Sequence, residues 1–322
     1  MRNIFFVLPL ILMTTASISL SGWVYEGQWG SYGTGDGQFN DPFGVVFASN
    51  NNIYVVDRGN SRIQYFTSTG TFLGKWGSKG SGDGRFNMPI DIAIASNGNI
   101  YVTDRDNYRI QYFSPDGTLV GKWGSLGSGD GQFYMPTGID ISKDDIVYVV
   151  DASACRVQYF TLDGKFLGKW GSKGSGDGQF SGSYGICVAP NGNVYLVDIV
   201  NYRIQYFTKD GVFIGKWGSQ GKGDGQFNLP TGIDITSNCN VYIVDTGNNR
   251  VQYFTYDGNF IGKWGSKGSG DGQFNWNNDI VIGPNGKAFV SDGLNNRIQY
   301  FHYEPGQNIT PTSLGVVKAL FK

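Results

Sequence analysis

Along most of the chain, short apolar runs alternate with clusters of Gly, Ser, Asp and Asn, and each run has the length and period of a β-strand. The stretch from Met88 shows the pattern. After Met88-Pro89, Ile92 and Ile94 fall on one side of a short strand, and Ser96-Asn97-Gly98-Asn99 follows as a turn. Asn-Gly between apolar strands is a strong hairpin signal, because both central residues of the tight turn need positive φ. Ile100-Tyr101-Val102-Thr103-Asp104 then makes a second strand, Asp106-Asn107-Tyr108 a loop, and Arg109-Ile110-Gln111-Tyr112-Phe113 a third strand. Pro115-Asp116-Gly117 is another turn, and residues Thr118 to Trp123 form a fourth strand. No helical period of apolar residues runs through this pattern.

The pattern recurs. An Asp-Gly-Gln/Arg-Phe core starts at Asp36, Asp83, Asp130, Asp177, Asp224 and Asp271, so six units follow one another in steps of 47 residues without insertion or deletion. Six four-stranded antiparallel units predict an all-β, six-bladed β-propeller. The second and third strands are nearly continuous apolar runs, as a sheet covered on both faces by its neighbours requires. The fourth strand carries Lys75, Lys122, Lys169, Lys216 and Lys263, which suit an outer edge that must not pair with another molecule. The sixth unit ends after Phe301 without a fourth strand, while Val24-Tyr25-Glu26-Gly27-Gln28-Trp29 is a fourth strand without a unit before it. The spacing therefore predicts that residues 24–29 complete the last blade and close the ring.

Composition fits this picture. Among 322 residues there are 50 Gly, 22 Phe, 19 Tyr and 8 Trp, the supply that many tight turns and pleated surfaces draw on. Residues 1–21 differ from the rest: a basic start, an apolar run from Ile4 to Met13, then small polar residues. This is the pattern of a secretory signal peptide, with an uncleaved anchor as the alternative. The expected organisation is signal peptide 1–21, propeller 22–303 and a loosely ordered tail 304–322, with a secreted or surface-exposed mature chain and no membrane span in it. Cys155, Cys187 and Cys239 occupy different places in their units and do not form a repeated disulfide framework. A formal net charge of −1 argues against a polyanionic partner.

The units resemble NHL repeats. The residues that carry the resemblance are the Gly-Asp-Gly-Gln-Phe turn, the Pro-Thr-Gly strands at Pro136 and Pro230, the Val-Tyr-Val-Val-Asp strand and the Asn-x-Arg-Ile-Gln-Tyr-Phe stretch from Asn60 to Phe66. The Trp-Asp and Gly-His marks of other propeller repeats are absent. The resemblance covers residues 24–303 and implies a six-bladed propeller. Its members include interaction platforms, RNA-binding domains and a metal-dependent amidating lyase, so it does not choose a function.

Asp57, Asp104, Asp151, Asp198, Asp245 and Asp292 each stand five residues before Arg62, Arg109, Arg156, Arg203, Arg250 and Arg297. A carboxylate ending one strand and a guanidinium opening the next pair across the hairpin. Because every unit has the pair, it reads as architecture. Function is then sought where the units differ. The loop between the second and third strands, and the residue after the recurrent Pro, vary from unit to unit. They supply Arg58, Arg105, Tyr108, Tyr184, Ile199 and Tyr202, residue types enriched at binding surfaces. A second irregular set lies on the innermost strand: Asp91 and Asp279 replace a Gly, and Asp140 and Asp234 stand two residues further on with the same side-chain parity. Four carboxylates lining the channel are candidates for a hard cation such as Ca²⁺, with hydrated channel-wall residues as the alternative.

Catalysis has little to draw on. His302 is the only histidine, and the only glutamates are Glu26 and Glu304, whereas six-bladed lactonases and strictosidine-synthase-like proteins place a Glu in the channel. The expectation is a monomeric, non-catalytic propeller with no cofactor beyond the candidate Ca²⁺, binding a protein or glycan through its variable loops. The second expectation is a hydrolase or lyase using a channel-bound divalent cation. RNA binding comes third, since six arginines are taken by the Asp pairs and the leader points away from cellular RNA.

Overall fold

In the computed structural model, which describes residues 22–305, every unit forms a four-stranded antiparallel sheet, and residues 23–303 form one body. The segment read as a signal peptide and residues 306–322 lie outside the described residues. Blade 1 runs Pro42–Phe47, Asn52–Asp57, Arg62–Thr67 and Phe72–Trp76, from the innermost strand outwards. Blade 2 runs Pro89–Ile94, Ile100–Asp104, Arg109–Phe113 and Leu119–Trp123. Blade 3 is Pro136–Ile141, Val147–Asp151, Arg156–Phe160 and Phe166–Trp170. Blade 4 is Ile186–Val188, Val194–Asp198, Arg203–Phe207 and Phe213–Trp217. Blade 5 is Pro230–Ile235, Asn240–Asp245, Arg250–Thr255 and Phe260–Trp264. Blade 6 combines Asn277–Ile282, Ala288–Asp292 and Arg297–Glu304 with the N-terminal strand Gly22–Trp29 as its outer edge.

The ring is thus closed by the start of the chain, as the orphan strand predicts, and the innermost strands of successive blades meet around the axis. In blades 1, 2, 3 and 5 the innermost strand begins on Pro, which has no N–H to give the ladder, and the register slips between that Pro and the fourth residue. Blade 4 has Ser183 in place of the Pro, and its innermost strand is the shortest of the six. The loop expected at Asp106-Asn107-Tyr108 is a 3₁₀ turn, Arg105–Asn107, with matching turns in blades 1, 5 and 6.

The Asp–Arg pairs are the centre of a larger network. In blade 1, Asp57 is fully buried and receives Arg62 Nε at 2.7 Å, Gln64 Nε2 at 3.1 Å, Asn60 Nδ2 at 2.9 Å and the backbone N–H of Asn40 at 2.8 Å. The two terminal nitrogens of Arg62 donate to the carbonyls of Thr34, Gly35 and Gln38, all in the Gly-Asp-Gly-Gln connection arriving from the preceding blade. Gln64 clasps the same connection from both sides: its Oε1 accepts the Gly37 N–H and its Nε2 donates to the Gln38 carbonyl. The Gln clasp is repeated in all six blades, through Gln111, Gln158, Gln205, Gln252 and Gln299. Blade 3 has Ala154 where the other five blades have Asn, so Asp151 lacks that donor. A buried carboxylate is tolerated when charge and hydrogen bonds satisfy it, and here the same bonds fasten one blade to the next.

Between blades, Trp76 of blade 1 meets Phe113 of blade 2 at 5.8 Å, and the rings of blade 1 stack behind it. The Tyr54 ring stacks on Tyr65 at 5.2 Å and meets Trp76 edge-on, and its hydroxyl donates to the Pro115 carbonyl of blade 2. Gly117, at φ +87°, lets that blade's outer turn lie flat on the Trp76 indole, where a Cβ would come within 2.8 Å of the ring. The exposed Lys216–Asp177 bridge and its counterparts add a solvated pair at the rim.

Replacing Gln205 by Leu strands the Gly178 N–H and removes a donor from Asp198, which is expected to cost about 1–3 kcal/mol. Lys216→Ala, at a rim where both partners are open to water, is expected to leave the midpoint almost unchanged. Urea unfolding of the two variants checks the contrast.

Candidate functional site

The channel is walled by the innermost strands, and the four irregular aspartates all line it, around a cavity of 80 Å³. Their carboxylates do not turn towards one another. Asp91 accepts the N–H of Ile92 and, across the blade boundary, that of Ile139. Asp140 accepts Ile141 and Val188, Asp234 accepts Ile235 and Ile282, and Asp279 accepts Val45. Each aspartate therefore fastens its own innermost strand to that of the next blade. Among the described residues no group of three His, Cys, Asp or Glu side chains is placed to hold a metal ion together. The carboxylates of Asp91, Asp140, Asp234 and Asp279, the candidates for a cation, turn oxygens to backbone amides.

Blades 1 and 4 contribute no carboxylate. Cys187 of blade 4 fills the gap between Asp140 and Asp234, with Sγ 4.0 Å from Asp234 Oδ1. The thiol is held well above its ordinary pKa by burial and by both carboxylates, so it stays protonated and unreactive. Cys155, Cys187 and Cys239 are all free thiols. Burial also raises the carboxyl groups, Asp140 and Asp234 to about 6 and Asp91 to about 7. Asp279 is pushed well above the usual range, by burial first and by the Asp91 charge second. The amides they accept from act in the opposite direction and moderate the shift.

Above the aspartates, the channel mouth is filled. Phe43 and Tyr184 face each other with ring centroids 6.0 Å apart, and the space between them, Ile90, Thr231 and Asn278 is only about 10 Å³. The Arg58 guanidinium lies 4.6 Å from the Phe43 ring centre and pairs with Asp41. Arg105 pairs with Asp106 and reaches the Tyr184 hydroxyl. The variable loops thus bring Arg58, Arg105 and Tyr184 together over the mouth. Tyr108, which follows the Arg105–Asn107 turn, and Tyr202, which packs on the same core cluster as Tyr184, are half-buried. Ile199 is corrected: it is 9% exposed and packs in the core between blades 4 and 5, so it offers no surface.

Tyr108 and Tyr202 hold φ of 56° and 54°. The equivalent position is left-handed in every blade, and in blades 5 and 6 it is taken by Asn249 and Asn296, a type that tolerates this conformation.

Sequence reasoning missed two hydroxyls. Thr103 and Ser291 occupy the place held by Val56, Val150, Val197 and Val244 elsewhere, and each accepts the backbone N–H of the channel aspartate in its own blade, Asp91 and Asp279. The joint departure of Asp and hydroxyl in the same two units was the available signal. Far from the channel, His302 lies near Glu26 at the outer edge of blade 6, with Nδ1 3.6 Å from the carboxylate.

The NHL repeat family model matches residues 39–66, 86–113 and 227–254. No curated protein sequence matches the chain significantly. Solved propellers superpose over most of it. An auxiliary nutrient binding protein from Bacteroides ovatus ATCC 8483 is 12% identical, with 89% of this chain and 78% of that one covered and a TM-score of 0.67. A gluconolactonase from Xanthomonas campestris is 13% identical over 84% of this chain and 88% of that one, with a TM-score of 0.62. A catalytically inactive virginiamycin B lyase from Staphylococcus aureus, with its ligand quinupristin, is 15% identical over 90% of this chain and 89% of that one, with a TM-score of 0.59. At such identities the likeness is one of fold, shared by binding proteins and enzymes alike.

Carboxyls raised in the folded state hold protons that the unfolded chain has already released, so their stabilising contribution is complete below the unfolded value and fades as pH climbs through 6 to 7. The unfolding midpoint is expected to be higher at about pH 5 than at about pH 8. Asp234→Asn should flatten that slope, and a wild-type midpoint that rises between the two pH values would contradict the assignment.

Proposed function

We propose, from the premise that this chain carries NHL repeats wound into a six-bladed propeller, that it is a non-catalytic binding module whose protein partner seats on the variable-loop face. The observation that carries the reading is the pair of tyrosines, Tyr108 and Tyr202, kept in left-handed backbone in the variable loops. Strain of this kind persists where a side chain is needed. Tyr and Arg are also the types that dominate binding energy at protein interfaces. A protein partner fits better than a glycan, because both arginines arrive already braced by Asp41 and Asp106, fixed for charge-assisted contacts.

The leader pattern of residues 1–21 supports a place outside the cytoplasm, and among the described residues no helix is long and apolar enough to cross a membrane. Structural neighbours named as nutrient binding proteins agree with a binding role. Neighbours named as a lyase and a gluconolactonase keep the enzyme reading in view. Against it stand the filled channel mouth and four channel carboxylates that each accept backbone amides.

Tyr108→Asn separates binding from folding, since Asn suits the backbone better than Tyr. Its unfolding midpoint is expected to stay within about 1 kcal/mol of the wild type, or above it. Cross-linked capture of a protein partner from the extracellular fraction should fall at least about tenfold, as a lost interface anchor implies. Capture at the wild-type level by Tyr108→Asn and Arg58→Ala together would refute the proposed face.

A further inference from the structure

The ring closure leaves a cleft between blades 5 and 6. At the first five turns between third and fourth strands, a Gly lies flat on the Trp of the preceding blade: Gly70 on Trp29, Gly117 on Trp76, Gly164 on Trp123, Gly211 on Trp170 and Gly258 on Trp217. Four tyrosines of the second strands, Tyr54, Tyr101, Tyr148 and Tyr195, then donate to a carbonyl of the following blade's turn. Among the described residues blade 6 has no such turn: its third strand ends at Glu304 and its fourth strand starts at Gly22. Trp23 stands in register with those glycines and stacks on Trp264 at 5.0 Å. Tyr242 is left with Asn240 beside its hydroxyl instead of a carbonyl across the boundary.

The result is a cavity of 640 Å³ bounded by the first turns of both blades and by these aromatic rings. Its volume is that of a small-molecule site. None of its lining residues is charged; it combines the rings of Trp23, Tyr242, Tyr253 and Tyr303 with the amides and hydroxyls of Asn238, Asn240, Thr236 and Ser237. An ionic ligand would enter without a counter-charge and lose its hydration. A purely apolar one would leave the amides unpaired. A flat, neutral, hydroxyl-rich ring meets both demands, placing C–H faces on the aromatic rings and hydroxyls on the amides.

We infer that the cleft between blades 5 and 6 is a binding site for a neutral carbohydrate, separate from the protein-binding face at the channel mouth. Trp23 and Tyr303 are assigned the stacking faces and Asn238 and Asn240 the polar contacts. Titration with cellotriose, maltotriose and triacetylchitotriose, followed by tryptophan fluorescence, should give a saturable change with at least one of them, with Kd below about 1 mM. Tyr303 is 43% exposed and meets Trp23 of the closing strand edge-on at 5.8 Å, so the unfolding midpoint of its variant is measured alongside binding. Tyr303→Ala and Asn238→Ala should each weaken that response about tenfold, while Val212→Ala on the outer turn of blade 4 leaves it unchanged. A flat response to all three sugars, or one that survives both cleft substitutions, overturns the inference.

Discussion

Everything in this ring depends on one buried interaction made six times, the Asp–Arg–Gln hub. A propeller blade is held to its neighbour mainly by rings and methyls, which are non-directional and set distance better than register. The hub adds direction. Because its Arg and Gln reach the carbonyls and amide of the incoming Gly-Asp-Gly connection, each blade is fastened to the chain segment that leaves the blade before it. The Asp is the anchor, and its burial is repaid by up to four donors, one of them charged. Removing one partner leaves the others buried and unsatisfied, so six copies of the same residues are a structural necessity.

With the repeated positions absorbed in this way, three departures from six-fold regularity stand out, at the channel wall, at its mouth and at the ring closure. The four channel aspartates fasten innermost strands in blades 2, 3, 5 and 6 to the blade that follows. Phe43, Tyr184, Arg58 and Arg105 fill and surround the mouth. The third departure is Trp23, a large ring where the other blades have glycine, at the boundary between blades 5 and 6. The first set is spent on the ring's own backbone; the other two face outward, and they carry the two binding sites inferred for the protein.

The blade count, the strand order and the closure by residues 24–29 were legible because the 47-residue step and the orphan strand are arithmetic on the chain. The Asp–Arg pairing was legible too, as facing ends of a hairpin. The Gln clasp was not, since Gln64 alternates with apolar residues on its strand and acquires its role only when the connection from another blade passes over it. The channel aspartates were placed correctly by side-chain parity, but parity says nothing of the amide across the next boundary, and four inward carboxylates therefore read as a cation site. Ile199 read as surface because its loop varies, yet the loop folds it into the core between blades. The cleft beside Trp23 is bounded by residues of two blades and the closing strand, and no motif within one unit marks it.

Amide exchange measures the hub most directly. The N–H groups of Gly37, Gly84, Gly131, Gly178, Gly225 and Gly272 sit in surface connections yet each donates to a Gln side chain at 2.9–3.1 Å. If the hubs hold the ring together, these six amides exchange as slowly as those of the second strands, at a rate set by global unfolding. Exchange at the pace of an open loop, while the strands stay protected, would contradict the account.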